Sequence, residues 1–129
     1  MKIDHMAVYV RDLEKTKAFY AKYFGAKPND PYHNPKTGLQ TYFLTFACGG
    51  RLEIMSKPNL PGAGTDGEHL GYIHLAFSVG DRESVDRLAV LLRDDGYTVC
   101  SEPRTTGDGY YESCVLDPDG NRIEIVTCA

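Results

Sequence analysis

Four side chains in this sequence could act together: His5, Glu53, His74 and Glu124. They occur in two matched settings. Ile3-Asp4-His5-Met6-Ala7 reads like Tyr72-Ile73-His74-Leu75-Ala76, and Gly49-Gly50-Arg51-Leu52-Glu53-Ile54-Met55 reads like Gly120-Asn121-Arg122-Ile123-Glu124-Ile125-Val126. Each half-chain thus carries one histidine on an early strand pattern and one glutamate at the centre of a late one. Two imidazoles and two carboxylates make a mixed nitrogen and oxygen donor set, which suits zinc, nickel, cobalt, manganese or iron(II). A lone strand histidine is usually just hydrogen-bonded, and a lone strand glutamate is usually solvated. Four at repeat-equivalent points argue for ligation, because an unpartnered carboxylate on a mostly buried face is costly. His33 and His69 fall in loop sequence without a repeat counterpart and read as surface residues.

The elements that must position these residues follow from periodicity. Residues 2–10 alternate, with Ile3, His5, Ala7 and Tyr9 on one face and Met6, Val8 and Val10 forming a continuous apolar face on the other. Asp12 is a plausible N-cap for a helix over Leu13–Phe24, whose aromatic residues recur at helical spacing before Gly25 stops it. Pro28–Gly38 reads as a loop, Gln40–Ala47 as a strand, Gly49-Gly50 as a hairpin turn and Arg51–Met55 as the return strand. Ser56–Gly71 is rich in glycine and proline and reads as a linker. The order then repeats: a strand over Tyr72–Val79, a helix capped by Asp81 and closed by Gly96, and a short strand over Tyr97–Cys100. A loop over Pro103–Gly109 follows, then strands over Tyr110–Leu116 and Arg122–Val126 joined by Asp117-Pro118-Asp119-Gly120. Module 1 spans about residues 1–56, the linker about 57–71 and module 2 about 72–129, within one domain of 129 residues. If the first and last strands of each module are equivalent, His5, Glu53, His74 and Glu124 all leave the faces that carry no helix. Ala7, Ala76 and Ser78 beside them are small enough to leave a cavity.

A net charge of −4 argues against a nucleic-acid or acidic-membrane partner, since phosphate binding needs a concentrated positive field. No run reaches the ~18 apolar residues of a membrane span, and no signal-peptide core opens the chain, so a cytoplasmic protein is expected. Cys48, Cys100, Cys114 and Cys128 lack metal-knuckle spacing and read as small buried thiols.

The chain resembles the vicinal oxygen chelate superfamily, the group of glyoxalases, bleomycin-resistance proteins and extradiol dioxygenases. The resemblance rests on Asp4-His5 followed by Asp12-Leu13 and Phe19-Tyr20, on Leu52-Glu53-Ile54, on Gly71-Tyr72-Ile73-His74-Leu75-Ala76-Phe77, and on Leu116-Asp117-Pro118-Asp119-Gly120-Asn121-Arg122-Ile123-Glu124. It implies an α+β fold of two tandem βαβββ modules forming a partly open barrel. The His, Glu, His, Glu order is similar to that of glyoxalase I, lactoylglutathione lyase. That similarity implies zinc or nickel held by His5, Glu53, His74 and Glu124, and a small-molecule substrate, the hemithioacetal of a thiol and a 2-oxoaldehyde, isomerised through an enediolate. It further implies a homodimer with shared sites and a proton-transfer role for Glu124, which Glu53 can share. Glutathione-using members have arginine four residues after the first ligand histidine and asparagine four after the first ligand glutamate. Tyr9 and Lys57 stand there, so the thiol stays open, and Arg51, Lys57, Arg104 or Arg122 are candidates for an anionic substrate end. Two other classes fit the scaffold. One is a metal-dependent thiol transferase or dioxygenase with no ligand at Glu53; the other is a non-catalytic drug binder using the nine tyrosines.

Overall fold

Alternating side chains give each sheet of this protein one apolar face, and each apolar face is covered by an amphipathic helix. The computed structural model describes residues 1–62 and 70–128. These form two compact units that divide between residues 63 and 64. His69 and the centre of the expected linker lie outside the described residues.

In the first unit, strand β1 (Met6–Tyr9) is followed by helix α1 (Leu13–Phe24), short strands β2 (Lys27–Pro28) and β3 (Tyr32–His33), and the hairpin β4 (Gln40–Thr45) and β5 (Arg51–Ser56). Asp12 caps α1 by accepting from the Lys15 amide at 2.9 Å, and Gly25 ends it with φ +66°, a conformation that costs other residues a Cβ clash. The sheet order is β1-β5-β4-β2, with β3 pairing on β4. β1 runs parallel to β5, so Met6 lies opposite Leu52, Ala7 opposite Glu53 and Val8 opposite Ile54. Leu44, Leu52, Ile54, Phe19 and Tyr20 are buried where α1 meets the sheet.

The second unit repeats the plan with β6 (His74–Gly80), α2 (Arg82–Asp94), β7 (Val99–Thr105), β8 (Tyr111–Leu116) and β9 (Arg122–Thr127). Its order is β6-β9-β8-β7, again with the first strand parallel to the last. Asp81 caps α2 at the Ser84 amide, and Val85, Ala89 and Leu92 pack on Val115, Ile123 and Ile125, all essentially without solvent contact. The architecture is α+β, built from a repeated unit of strand, helix and antiparallel strands. Among the described residues no helix is long and apolar enough to cross a membrane.

Several sequence expectations are corrected here. β1 begins at Met6 and β6 at His74, later than alternation suggested, because their ladder partners β5 and β9 begin only at Arg51 and Arg122. Met6, expected on a continuous apolar face, is 36% exposed, and only Val10 on that face is buried. The expected loop at Pro28–Gly38 contains β3, and His33 lies on that strand, still exposed. β7 continues through Pro103 to Thr105, where a loop was expected. Proline is tolerated because β7 is an edge strand and its pairing shifts register between Ser101 and Arg104. The thiols are not buried: Cys48, Cys100 and Cys128 are exposed and Cys114 half-buried. They sit in a hairpin turn, on an edge strand, past the last strand and on the sheet face away from α2, none of which is core.

Thr16 is fully buried in α1, and its hydroxyl has no hydrogen-bond partner. A desolvated hydroxyl without a partner is a net cost. Thr16→Val is therefore expected to raise unfolding free energy by about 1 kcal/mol in urea titrations, with an unchanged denaturant slope.

Candidate functional site

The uncovered face of each sheet is set by register. In the first unit, Glu53 on β5 stands between Ala7 on β1 and Phe43 on β4. In the second, Glu124 on β9 stands between Ala76 on β6 and Cys114 on β8. The flanking Leu52, Ile54, Ile123 and Ile125 are all buried, so both glutamates leave the faces that α1 and α2 do not cover. Alanine on the neighbouring strand leaves room beside each carboxylate.

His5 precedes β1 by one residue, and its Nε2 lies 3.9 Å from Glu53 Oε1. His74 opens β6, and its Nε2 lies 3.2 Å from Glu124 Oε2. Two donors each ~2.1 Å from one ion, at tetrahedral or octahedral angles, stand about 3.0–3.4 Å apart. The second pair has that bite already, and the first needs a shift of about half an ångström, well within rotamer freedom. The carboxylates are the more enclosed partners, with Glu53 16% and Glu124 23% exposed, so each is partly desolvated. Among the described residues no three His, Cys, Asp or Glu side chains gather into a metal site; the donors come as two pairs, one in each unit. The chemistry and spacing of both pairs fit a divalent ion.

The surroundings of the pairs differ. His5 Nδ1 donates to Asp4 Oδ2 at 2.8 Å, and Arg51 Nη2 donates to the same oxygen at 2.6 Å. An ionised carboxylate only accepts, so Nδ1 carries the proton of this bond, which leaves Nε2, on the Glu53 side, as the nitrogen that can ligate. The His5 hydrogen bond, then Arg51, holds the Asp4 carboxyl below its ordinary value. His5 also meets Phe43 edge-on at 5.2 Å, and the Arg51 guanidinium lies over the same ring at 4.7 Å. Arg51 is thereby a supporting residue rather than a free anion binder. Ile73 occupies the position equivalent to Asp4 and can offer His74 no such bond.

Farther along each strand pair, four residues beyond the histidine and the glutamate, the equivalence persists. Lys57 Nζ lies 5.4 Å from the centre of the Tyr9 ring in the first unit. In the second, the Ser78 hydroxyl donates to Cys128 Sγ at 3.2 Å.

Glu112 on β8 was not singled out from sequence. Its register partner is Val126, two residues beyond Glu124, which puts it on the same face. Arg104 on β7 lies directly opposite it. Partial burial raises the Glu112 pKa, and the negative charge of Glu124 adds to the effect. Burial likewise pushes the Cys114 thiol up to about 12. Nothing in a single sequence marked Glu112, because the internal repeat gives it no acidic counterpart: the equivalent residue of the first unit is Thr41, opposite Met55.

Repeated strand–helix–sheet units, each with an imidazole–carboxylate pair on its open face, define the class of protein. The model of the Glyoxalase/Bleomycin resistance protein/Dioxygenase superfamily matches residues 2–125, and the chain belongs to that superfamily. Uncharacterized protein YwkD of Bacillus subtilis is 32% identical over 127 residues, covering 95% of this chain and 94% of that protein. A crystal structure of a glyoxalase family protein from Enterococcus faecalis superposes with a TM-score of 0.81 at 27% identity, covering 97% of this chain and 96% of that one. The fold also matches FosX, a fosfomycin resistance protein from Listeria monocytogenes complexed with Mn(II) and sulfate, with a TM-score of 0.70 at 20% identity and coverage of 99% and 93%.

A raised carboxyl pKa means that the folded state disfavours the Glu112 anion. The cost is fully present above the raised pKa and vanishes below the ordinary one. Glu112→Gln is expected to raise the melting temperature of the metal-free protein at pH 7 by about 1–3 °C. The gain should disappear as the pH falls below the ordinary glutamate value, which thermal scans from acid to neutral pH will read.

Proposed function

We propose that this protein is a metal-dependent lyase or isomerase of the glyoxalase I type, acting on the hemithioacetal of a 2-oxoaldehyde and a thiol. The observation that carries this reading is the recurrence of one histidine–glutamate pair, at ion-compatible spacing, on the uncovered face of each unit. Superfamily membership supports it. His5, Glu53, His74 and Glu124 would hold a divalent ion, zinc or nickel, with two donors from each unit. When bound, the ion supplies a Lewis acid that disperses negative charge developing on two neighbouring substrate oxygens.

The chain's own residues perform the proton transfer. Glu124 takes the proton from the carbon bearing the hydroxyl and sulfur, then returns it to the adjacent carbonyl carbon. No atom is gained or lost: a hydroxy-thioether beside a ketone becomes a hydroxy-thioester. Glu53 serves the same role if the substrate's other face is presented. His5 and His74 remain ligands throughout, and Asp4 keeps the His5 tautomer correct. Ala7 and Ala76 leave the space that the substrate needs. Tyr9 and Lys57 stand where glutathione-using members carry arginine and asparagine, so the thiol stays open, and the reading carries a cytoplasmic homodimer with shared sites.

Turnover of methylglyoxal with a panel of thiols, in protein loaded with zinc, nickel or manganese, tests the proposal. Glu124→Gln is expected to lower kcat by about 100-fold or more while metal remains bound. A near-wild-type rate with metal present would overturn the assignment. Metal that stays fully bound in Glu53→Gln would favour instead the thiol transferase or dioxygenase reading, in which Glu53 is not a ligand. Asp4→Asn should weaken metal binding about 10- to 100-fold, measured by competition with a chromogenic chelator.

A further inference from the structure

We propose that Cys100 and Cys114 form a reversible redox pair, a site of thiol–disulfide modification on the uncovered face of the second unit. The pair is produced by the irregular pairing of β7 with β8. Val99 lies opposite Val115, but Ser101 lies opposite Cys114, so Cys100 is the extra residue of a bulge and both Cys100 and Ser101 face Cys114. The Cys100 thiol donates to the Cys114 carbonyl oxygen at 3.3 Å. The Ser113 hydroxyl donates to the Ser101 carbonyl at 2.7 Å, fastening the two strands beside the thiols. A disulfide needs Cβ atoms about 3.5–4.5 Å apart, close to the roughly 4.5–5.5 Å of opposed side chains on adjacent strands. Neither thiol belongs to the four-donor set. Both cysteines are free, and they differ in access: Cys100 is exposed and Cys114 half-buried.

Access sets the order of events. With a small disulfide as oxidant, the Cys100 thiolate attacks one of its sulfurs, expels one small thiolate and forms a mixed disulfide. Cys114 then loses its proton to solvent, and its sulfur attacks the Cys100 sulfur, expelling the second small thiolate. Two protein thiols become one disulfide, and the two electrons reduce the oxidant to two small thiols. Cys114 lies opposite Glu124, so the new bond closes one strand away from that carboxylate.

The test incubates the reduced protein with glutathione disulfide at neutral pH. Because Cys48 and Cys128 are exposed as well, the readout is taken on the Cys48→Ser/Cys128→Ser variant, whose free thiols should fall from two to none with a mass loss of about 2 Da and no retained adduct. Trypsin should release the peptides of residues 94–104 and 105–122 joined to each other, and a dithiol reductant should separate them. In that background Cys114→Ser should trap glutathione on Cys100, and Cys100→Ser should keep its Cys114 thiol. The double variant Cys48→Ser/Cys128→Ser should form the bond as readily as the parent. A stable glutathione adduct on the Cys48→Ser/Cys128→Ser variant, a bond from Cys100 or Cys114 to Cys48 or Cys128 in the parent, or covalent dimers in place of the internal link would each overturn the proposal.

Discussion

Parallel pairing of the first strand with the last is the constraint on which both units depend. A parallel ladder cannot be closed by a tight turn, so the chain must cross over, and α1 and α2 begin those crossovers. Each helix lands on one face of its sheet and buries the isoleucines and leucines there, worth roughly 1.5–3 kcal/mol per large side chain. The other face is freed from core packing. Because register is fixed by the buried set, slipping either ladder by one residue would turn Ile54 or Ile125 outward and Glu53 or Glu124 into the core. The apolar side chains thus hold the carboxylates in place without touching them.

On this common frame the two units have diverged in what surrounds their donors. Asp4, Arg51 and Phe43 brace His5 through two charge-assisted hydrogen bonds and a ring contact, so one imidazole is oriented before any ligand arrives. His74 lacks that brace but stands closer to its glutamate, with Glu112 and Cys114 on the same face. The near-symmetric histidine–glutamate pairs thus carry unequal supports. Such inequality separates the behaviour of chemically identical groups.

Much of this was legible in the residues. Capping aspartates, Gly25 and the helical spacing of Val85, Ala89 and Leu92 located both helices closely, because those signals are local. Strand ends were less legible. Where β1 and β6 start depends on how far β5 and β9 reach, which is a property of the partner and not of Ile3 or Tyr72. Pro103 looked like a loop residue because nothing local reveals that its strand lies at a sheet edge. The cysteines were misjudged for a similar reason: thiols are buried on average, but these four occupy a turn, an edge, a strand end and an uncovered face.

By itself the sequence determined the repeat, the alternation and the matched histidine–glutamate pairs, since each is written in residue type and period. Tertiary structure decided the rest. It set the 3.9 Å and 3.2 Å spacings, recruited Asp4 to His5, put Glu112 beside Glu124 and brought Cys100 against Cys114 through a bulge. Those contacts join residues through register and side-chain rotamer, which depend on strands meeting in space, and no local pattern encodes where a neighbouring strand will stand.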